Sequence, residues 1–213
     1  MIQIQSFAVN YFGENTYILF DETKDAVIID CGCLNSREFQ LVTDFVSQNQ
    51  LKVKHHLCTH YHLDHLFGAE YVKAEYGLSP EVNQDDLEIL PSINQQAQSF
   101  GLPREVKDPE VQTFLKEGDI VTFGSSELEV LAVPGHSPGS LAFYNKEKGC
   151  VFVGDALFAG SIGRTDLWGG NTSQLIRSIK QSIFTLPENT VIYPGHGPET
   201  NVGYEKLNNP YIN

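Results

Sequence analysis

A chain of 213 residues, 41% hydrophobic and 11% aromatic, is large enough to bury a sizeable core, and its composition argues against disorder. Its 27 acidic and 14 basic residues leave a formal charge of −13, so phosphate backbones are repelled and no nucleic acid partner is expected. No stretch approaches the roughly 20 apolar residues that cross a bilayer. The opening run, Met1 to Phe7, alternates like a strand and lacks the parts of a signal peptide, so a cytoplasmic protein without membrane attachment is expected.

With no low-complexity run and no Pro/Gly/Ser-rich linker, one domain spanning 1–213 is expected. After the opening strand, 17–20 and 26–30 read as strands, the second ending by Gly32. Ser36 is the expected N-cap of a helix to about 48, with Phe39, Val42, Phe45 and Val46 on one face. A strand over 53–58 leads into a histidine-rich loop, then a helix over about 65–76 that ends at Gly77. Residues 85–100 look helical and 101–108 look like a surface loop. Strands follow at 119–123, 128–133, 141–144 and 150–153, separated by Gly or Pro. An amphipathic helix over 172–184 turns Leu175, Ile176, Ile179 and Ile183 inward, and a strand over 190–193 closes the pattern. Both halves therefore run strands, helix, strand, which points to two packed sheets with helices outside. Cys31, Cys33, Cys58 and Cys150 form no disulfide framework and read as small buried thiols.

Five of the seven histidines fall in turns directly after strand-like segments. The dense run is Thr59-His60-Tyr61-His62-Leu63-Asp64-His65. A catalytic zinc-type ion takes about three imidazole or carboxylate ligands plus water. Three imidazoles and a carboxylate within this run exceed the needs of one ion. His60 and His62 can share one side of an extended loop, while Asp64 and His65 point to a neighbouring ion. A lone histidine is more often a satisfied core residue; burying this many polar rings without a cation would be costly. Three single donors follow at later strand ends: His136 in Pro134-Gly135-His136-Ser137-Pro138-Gly139, Asp155 in Gly154-Asp155-Ala156, and His196 in Pro194-Gly195-His196-Gly197-Pro198. Each alone is weak. Together they make seven donors, which suits two ions sharing a carboxylate. His55 and His56 read as ordinary strand residues, and Tyr61 and Trp168 as cleft aromatics or plain packing.

The His-x-His-x-Asp-His run at 60–65, followed in order by His136, Asp155 and His196, resembles the metallo-β-lactamase superfamily. That resemblance implies an α/β (α+β) fold, a four-layer αββα sandwich with the donors along one edge. It implies that His60, His62 and His136 hold one metal, that Asp64, His65 and His196 hold the other, and that Asp155 bridges them. It also implies two divalent ions, with zinc expected and iron or manganese as alternatives. Asp30 resembles a carboxylate that supports the ligands from behind, and reads equally as a turn-forming Asp.

Gly154-Asp155-Ala156-Leu157-Phe158, the loop Gly160 to Asp166, and the ending Gly203 to Pro210 resemble the glyoxalase II-like branch, in its short bacterial form without a C-terminal helical glutathione-binding domain. Arg164 stands where that branch carries a basic glutathione contact, and reads equally as a partner for Asp166. Asp166 and Pro198 stand where tyrosines are expected. The implied function is hydrolysis of a small thioester, S-lactoylglutathione or a relative, by a hydroxide between the metals, with Asp64 also orienting it. A thiolate leaves without much acid help. The competing reading is a persulfide dioxygenase-like oxidoreductase using one iron, raised by the Gly-Arg-Thr-Asp loop at 163–166. A lactonase, a β-lactamase and a non-catalytic metal-binding protein rank below it. Nothing in the sequence fixes the oligomeric state.

Overall fold

A computed structural model describes residues 1–102 and 106–212; part of the surface loop expected at 101–108 lies outside the described residues. Among the described residues the strands form two six-stranded sheets and one small hairpin. The first sheet runs in spatial order β1 (Gln3–Val9), β2 (Glu14–Phe20), β3 (Asp25–Ile29), β4 (Lys52–Leu57), β5 (Glu81–Val82), β6 (Thr113–Phe114). The second contains β7 (Ile120–Phe123), β8 (Ser126–Ala132), β9 (Leu141–Asn145) and β10 (Cys150–Gly154). After the hairpin of β11 (Leu157–Phe158) and β12 (Ser161–Ile162), it is completed by β13 (Val191–Pro194) and β14 (Thr200–Asn201). β3 and β4 are parallel neighbours, as are β10 and β13. The first pair is joined through helix α1 (Ser36–Gln48), the second through α6 (Thr172–Ser178) and a π-helical turn, Ile179–Ile183. The shared grammar of the two halves is thus a shared strand–helix–strand crossover.

Alternation along the strands builds the layers. Tyr17, Leu19, Val27 and Ile29 of one sheet meet Leu128, Phe143, Cys150 and Phe152 of the other in the central core. The intervening Ile18, Phe20, Ala26 and Ile28 face Phe39, Val42 and Val46 of α1. On the far side Val151 and Val153 pack on Leu175, Ile179 and Ile183. This is the expected αββα sandwich. Burying each large apolar side chain in it contributes roughly 2–3 kcal/mol relative to exposure.

Helix boundaries differ from the sequence reading for physical reasons. The cap of α1 is Asn35, whose side chain accepts from the Arg37 and Glu38 amides, and Ser36 is the first helical residue. The helix expected over 65–76 is two: α2 (Leu63–Leu66) and α3 (Ala69–Tyr76). Between them the Gly68 amide donates to the Cys31 carbonyl at 2.8 Å, and a side chain at Gly68 would collide with the Cys31 thiol. The segment 85–100 is likewise split into α4 (Gln84–Ile89) and α5 (Ile93–Ser99), because Leu90, extended at ψ 148 before Pro91, ends the first. A last helix, α7 (Val202–Asn208), and the two-residue strands were not foreseen. All four cysteines are buried and free. Among the described residues, no helix is long and apolar enough to cross a membrane.

Candidate metal centre

β3, β4, β8, β10 and β13 all point the same way, so their C-terminal ends gather at one edge. There the sheets are tied together by Leu141 N–H to the Thr59 carbonyl at 2.7 Å and Asn15 N–H to the Gly195 carbonyl at 2.8 Å. All seven expected donors converge on this edge. His60, His62 and His136 bring ligand atoms within 4.8 Å of one another, and so do Asp64, His65 and His196. In the first trio, His136 Nε2 lies 2.9 Å from His62 Nδ1 and 3.2 Å from His60 Nε2. In the second, Asp64 Oδ2 lies 3.2 Å from His196 Nε2 and 3.8 Å from His65 Nε2. Asp155 faces both: Oδ1 is 3.4 Å from His65 Nε2, and Oδ2 is 3.7 Å from His136 Nε2. Gly195 makes this possible, since a side chain there would run into the Asp155 carboxylate and the His65 ring.

The far nitrogens of the rings decide which atoms face inward. His136 Nδ1–H donates to the Arg164 carbonyl at 2.7 Å, and His196 Nδ1–H to the Phe12 carbonyl at 3.1 Å. His65 Nδ1–H donates to Asp30 Oδ2 at 2.9 Å. His60 Nδ1–H donates to Thr59 Oγ1 at 3.0 Å, and that hydroxyl donates on to Asp30 Oδ2 at 2.7 Å. These partners leave Nε2 of His60, His65, His136 and His196 as a lone pair aimed into the centre, while His62 presents Nδ1. His60 and His136 therefore point two lone pairs at each other, and His65 Nε2 and Asp155 Oδ1 are buried with no hydrogen-bond partner. Such an arrangement is repulsive and costly by itself, and a cation relieves it. The donor set, imidazole and carboxylate, suits zinc, iron or manganese.

Charge divides the two trios. Burial, reinforced by the neighbouring imidazoles, holds His60 far below its usual value, and burial brings His62 to about 3, so both rings are neutral. Burial pushes Asp155 up, but His65 and His136 outweigh it and keep the carboxylate ionised. His65 is opposed by burial and still drawn well upward by Asp64, Asp155 and Asp30. His196 is raised against burial by Asp64 and Asp155. The second trio thus attracts positive charge more strongly than the first.

Asp30 does more than form a turn. It holds φ 49, a left-handed conformation Asp tolerates better than most residues, and besides His65 and the Thr59 hydroxyl it accepts the Thr59 amide at 2.7 Å. Other supports escaped the sequence reading. Asp86, at 1% exposure, accepts from Tyr61 N–H at 2.9 Å, Ser137 Oγ at 2.9 Å and Gly139 N–H at 2.6 Å. It clasps the His60–His65 loop to the His136 turn. Asn15 Nδ2 donates to the Pro194 and Gly197 carbonyls, and Tyr17 OH to the Pro194 carbonyl, which seats the His196 turn. Asn10 Nδ2 reaches the Asp64 carbonyl at 2.9 Å. The one local signal was the polar run Glu14-Asn15-Thr16 opening an otherwise apolar strand. His55 pairs with Glu81 at 2.7 Å and His56 is buried in β4, both outside the cluster. Tyr61 packs in the apolar cluster beneath α2 and α5.

Above the centre lies a cleft of about 330 Å³ walled by Phe12, Leu63, Phe100, Phe158 and Leu167, with Arg164 at its side. The Arg164 guanidinium binds Asp166 through two hydrogen bonds, at 2.7 and 2.8 Å. Trp168 packs against Phe100 and His62, with centroids 6.1 and 6.4 Å away.

Two adjoining donor trios at one edge of an αββα sandwich define a metal-dependent hydrolase by class. The chain belongs to the metallo-β-lactamase superfamily, whose family profile matches residues 10–196. Members of this superfamily bind divalent metals. The chain is 36% identical to hydroxyacylglutathione hydrolase GloC of Haemophilus influenzae (strain ATCC 51907 / DSM 11121 / KW20 / Rd), over 100% of its own length and 99% of that protein. Among solved structures, BLEG-1 B3 metallo-beta-lactamase superposes with a TM-score of 0.87 at 31% identity, over 99% of both chains. TTHA1623 in a di-iron-bound form gives a TM-score of 0.84 at 33% identity, over 97% of this chain and 99% of that one.

Proposed function

We propose that this metallohydrolase cleaves thioesters, with His60, His62 and His136 holding one divalent ion, Asp64, His65 and His196 a second, and Asp155 shared between them. The observation that carries the reading is Asp155, whose two carboxylate oxygens face the two trios separately at the floor of the cleft. When bound, a pair of divalent cations supplies a Lewis acid for a carbonyl oxygen and lowers the pKa of water towards neutrality. The protein's own part is to hold His60, His65, His136 and His196 from behind, to keep His60 and His62 neutral, and to keep Asp155 ionised. Asp64, at the cleft floor with Oδ2 3.2 Å from His196 Nε2, is placed to orient the attacking water and take its proton.

The leaving group follows from the lining. Among the described lining residues, every titratable group except Arg164 belongs to the donor set. A thiol, with a pKa near 8.5, departs as thiolate without a dedicated acid, whereas an alkoxide or amine needs one. The relationship to the GloC hydrolase supports the same class. Zinc is the metal we expect, and the cytoplasm the compartment.

The test is metal content together with turnover of a thioester panel, on the wild type and on Asp155→Ala. Two ions per chain with thioester hydrolysis, both lost in the variant, is the expected result. A variant that keeps metal and activity would sink the shared-carboxylate reading. The competing reading, persulfide oxidation at one iron, predicts a single iron per chain and oxygen uptake on glutathione persulfide. Turnover of a chromogenic β-lactam exceeding that of every thioester would favour the activity in the name of BLEG-1.

A further inference from the structure

The walls of the cleft carry a second message, about what the substrate looks like beyond its reacting bond. Phe12 comes from the turn between β1 and β2, and Phe100 from the end of α5, yet their rings meet edge to face at 6.5 Å. Both stay substantially exposed, at 45% and 40%, beside the opening. Phe158 meets the His196 ring edge to face with centroids 6.2 Å apart, and Leu63 and Leu167 also line the cleft. Large apolar side chains clustered around a concave opening mark a place where an apolar ligand removes them from water.

Charge in the cleft points the same way. Arg164 is the only lysine or arginine among the described lining residues. Its guanidinium is held by both oxygens of Asp166, so a substrate carboxylate has to compete with Asp166 to reach it. A tripeptide thiol such as glutathione carries two carboxylates, and holding them calls for uncompensated cations.

We infer that this site selects thioesters by an aromatic or branched apolar acyl or thiol substituent, received between Phe12, Phe100 and Phe158, and not by an anionic peptide thiol. The inference rests on the thioester reading of the same centre. The attacked carbonyl lies over Asp64 and Asp155, and the substituent extends outward between the aromatic walls. An apolar pocket of this kind discriminates by roughly tenfold or more per well-placed group.

Trp168, the single tryptophan of the chain, touches Phe100 and so reports occupancy of the cleft without any turnover. The experiment has two arms on the purified full chain. In the first, Trp168 fluorescence is titrated with two non-hydrolysable thioethers, S-benzyl-N-acetylcysteamine and S-methylglutathione. The benzyl compound should bind at least about tenfold more tightly, and Phe100→Ala should collapse that ratio towards one. In the second, kcat/KM is compared for phenylacetyl-N-acetylcysteamine, acetyl-N-acetylcysteamine and S-lactoylglutathione. The phenylacetyl thioester should lead by about tenfold or more.

Equal or tighter binding of S-methylglutathione, or no fluorescence response to the benzyl compound, overturns the inference. Turnover of all three thioesters without preference also overturns it, while leaving thioester hydrolysis standing. Preferential binding of the benzyl compound with no thioester turned over does the reverse: the apolar cleft stands and the hydrolase chemistry falls. Phe12 and Phe100 are partly exposed, so their truncation leaves the buried core intact.

Discussion

The Asp30 carboxylate accepts the Nδ1–H of His65 at 2.9 Å through Oδ2, the same oxygen that receives the Thr59 hydroxyl at 2.7 Å. Because Thr59 in turn accepts from His60 at 3.0 Å, one carboxylate orients a ring in each donor trio. Two adjacent sites that share a rear support are expected to respond together when it is altered.

Asp30→Asn tests this. Asparagine tolerates the left-handed backbone at φ 49, so the substitution removes charge and one acceptor while sparing the turn. Metal affinity should fall by roughly 10- to 100-fold at both sites, with the fold retained. Competition with a chromogenic chelator reads it. Affinity equal to wild type would reduce Asp30 to a turn residue.

Asp86→Ala should act on stability first. It strips the acceptor from the Tyr61 and Gly139 amides and the Ser137 hydroxyl, in a site where Asp86 itself is 1% exposed. Leaving buried donors unsatisfied costs roughly 2–4 kcal/mol. For a chain of this size that lowers Tm by about 5–15 °C. Loss of metal at the His60, His62 and His136 trio should accompany the shift, because the two loops carrying those residues are no longer clasped.

Glu205 in α7 gives a role to the C-terminal run singled out in the sequence. Fully buried, it accepts from the Gly160 amide at 3.1 Å, Thr200 Oγ1 at 2.7 Å and Asn209 Nδ2 at 2.8 Å. Asn209 Nδ2 also donates to the Ser161 carbonyl at 3.1 Å. The hairpin that carries Phe158 is thereby anchored to the last helix. Glu205→Ala should release it, speeding limited proteolysis around Gly160 and lowering kcat/KM with little change in metal content. Unaltered cleavage kinetics would show that the hairpin holds itself.

Stability should also fall in acid because of His56. Burial pushes this histidine down to about 3, against 6.5 for an ordinary ring. Between those values the unfolded chain binds a proton that the folded chain does not, so stability rises with pH across the window. It should therefore be lost progressively as pH drops from about 6.5 towards 3. His56→Gln should flatten that part of a denaturant-midpoint profile relative to wild type. A profile of identical slope would assign the acid sensitivity to other groups.

The sequence by itself marked most of the strands and the candidate donors. Continuous apolar runs such as Tyr17 to Phe20 are a local property that marks a buried strand, while which of their side chains enter the central core and which meet the helices is settled by packing. The spacing His60, His62, Asp64, His65 and the strand-end positions of His136, Asp155 and His196 are equally local, so the candidate centre was legible before any coordinates. What tertiary structure decided lies in contacts between distant segments. The Asp86 bond to Gly139 spans 53 residues, the Asn15 bond to Gly197 spans 182, and neither leaves a trace in spacing or composition. Arg164 could be read from sequence as a substrate contact or as a partner of Asp166, and the structure pairs it with Asp166 at the side of the cleft. The apolar mouth is a meeting of a hairpin turn and a helix end that only folding brings together. A metal centre announces itself because its ligands must be particular residue types at strand ends, whereas the supports behind it and the walls above it are built from ordinary residues that acquire their roles by proximity.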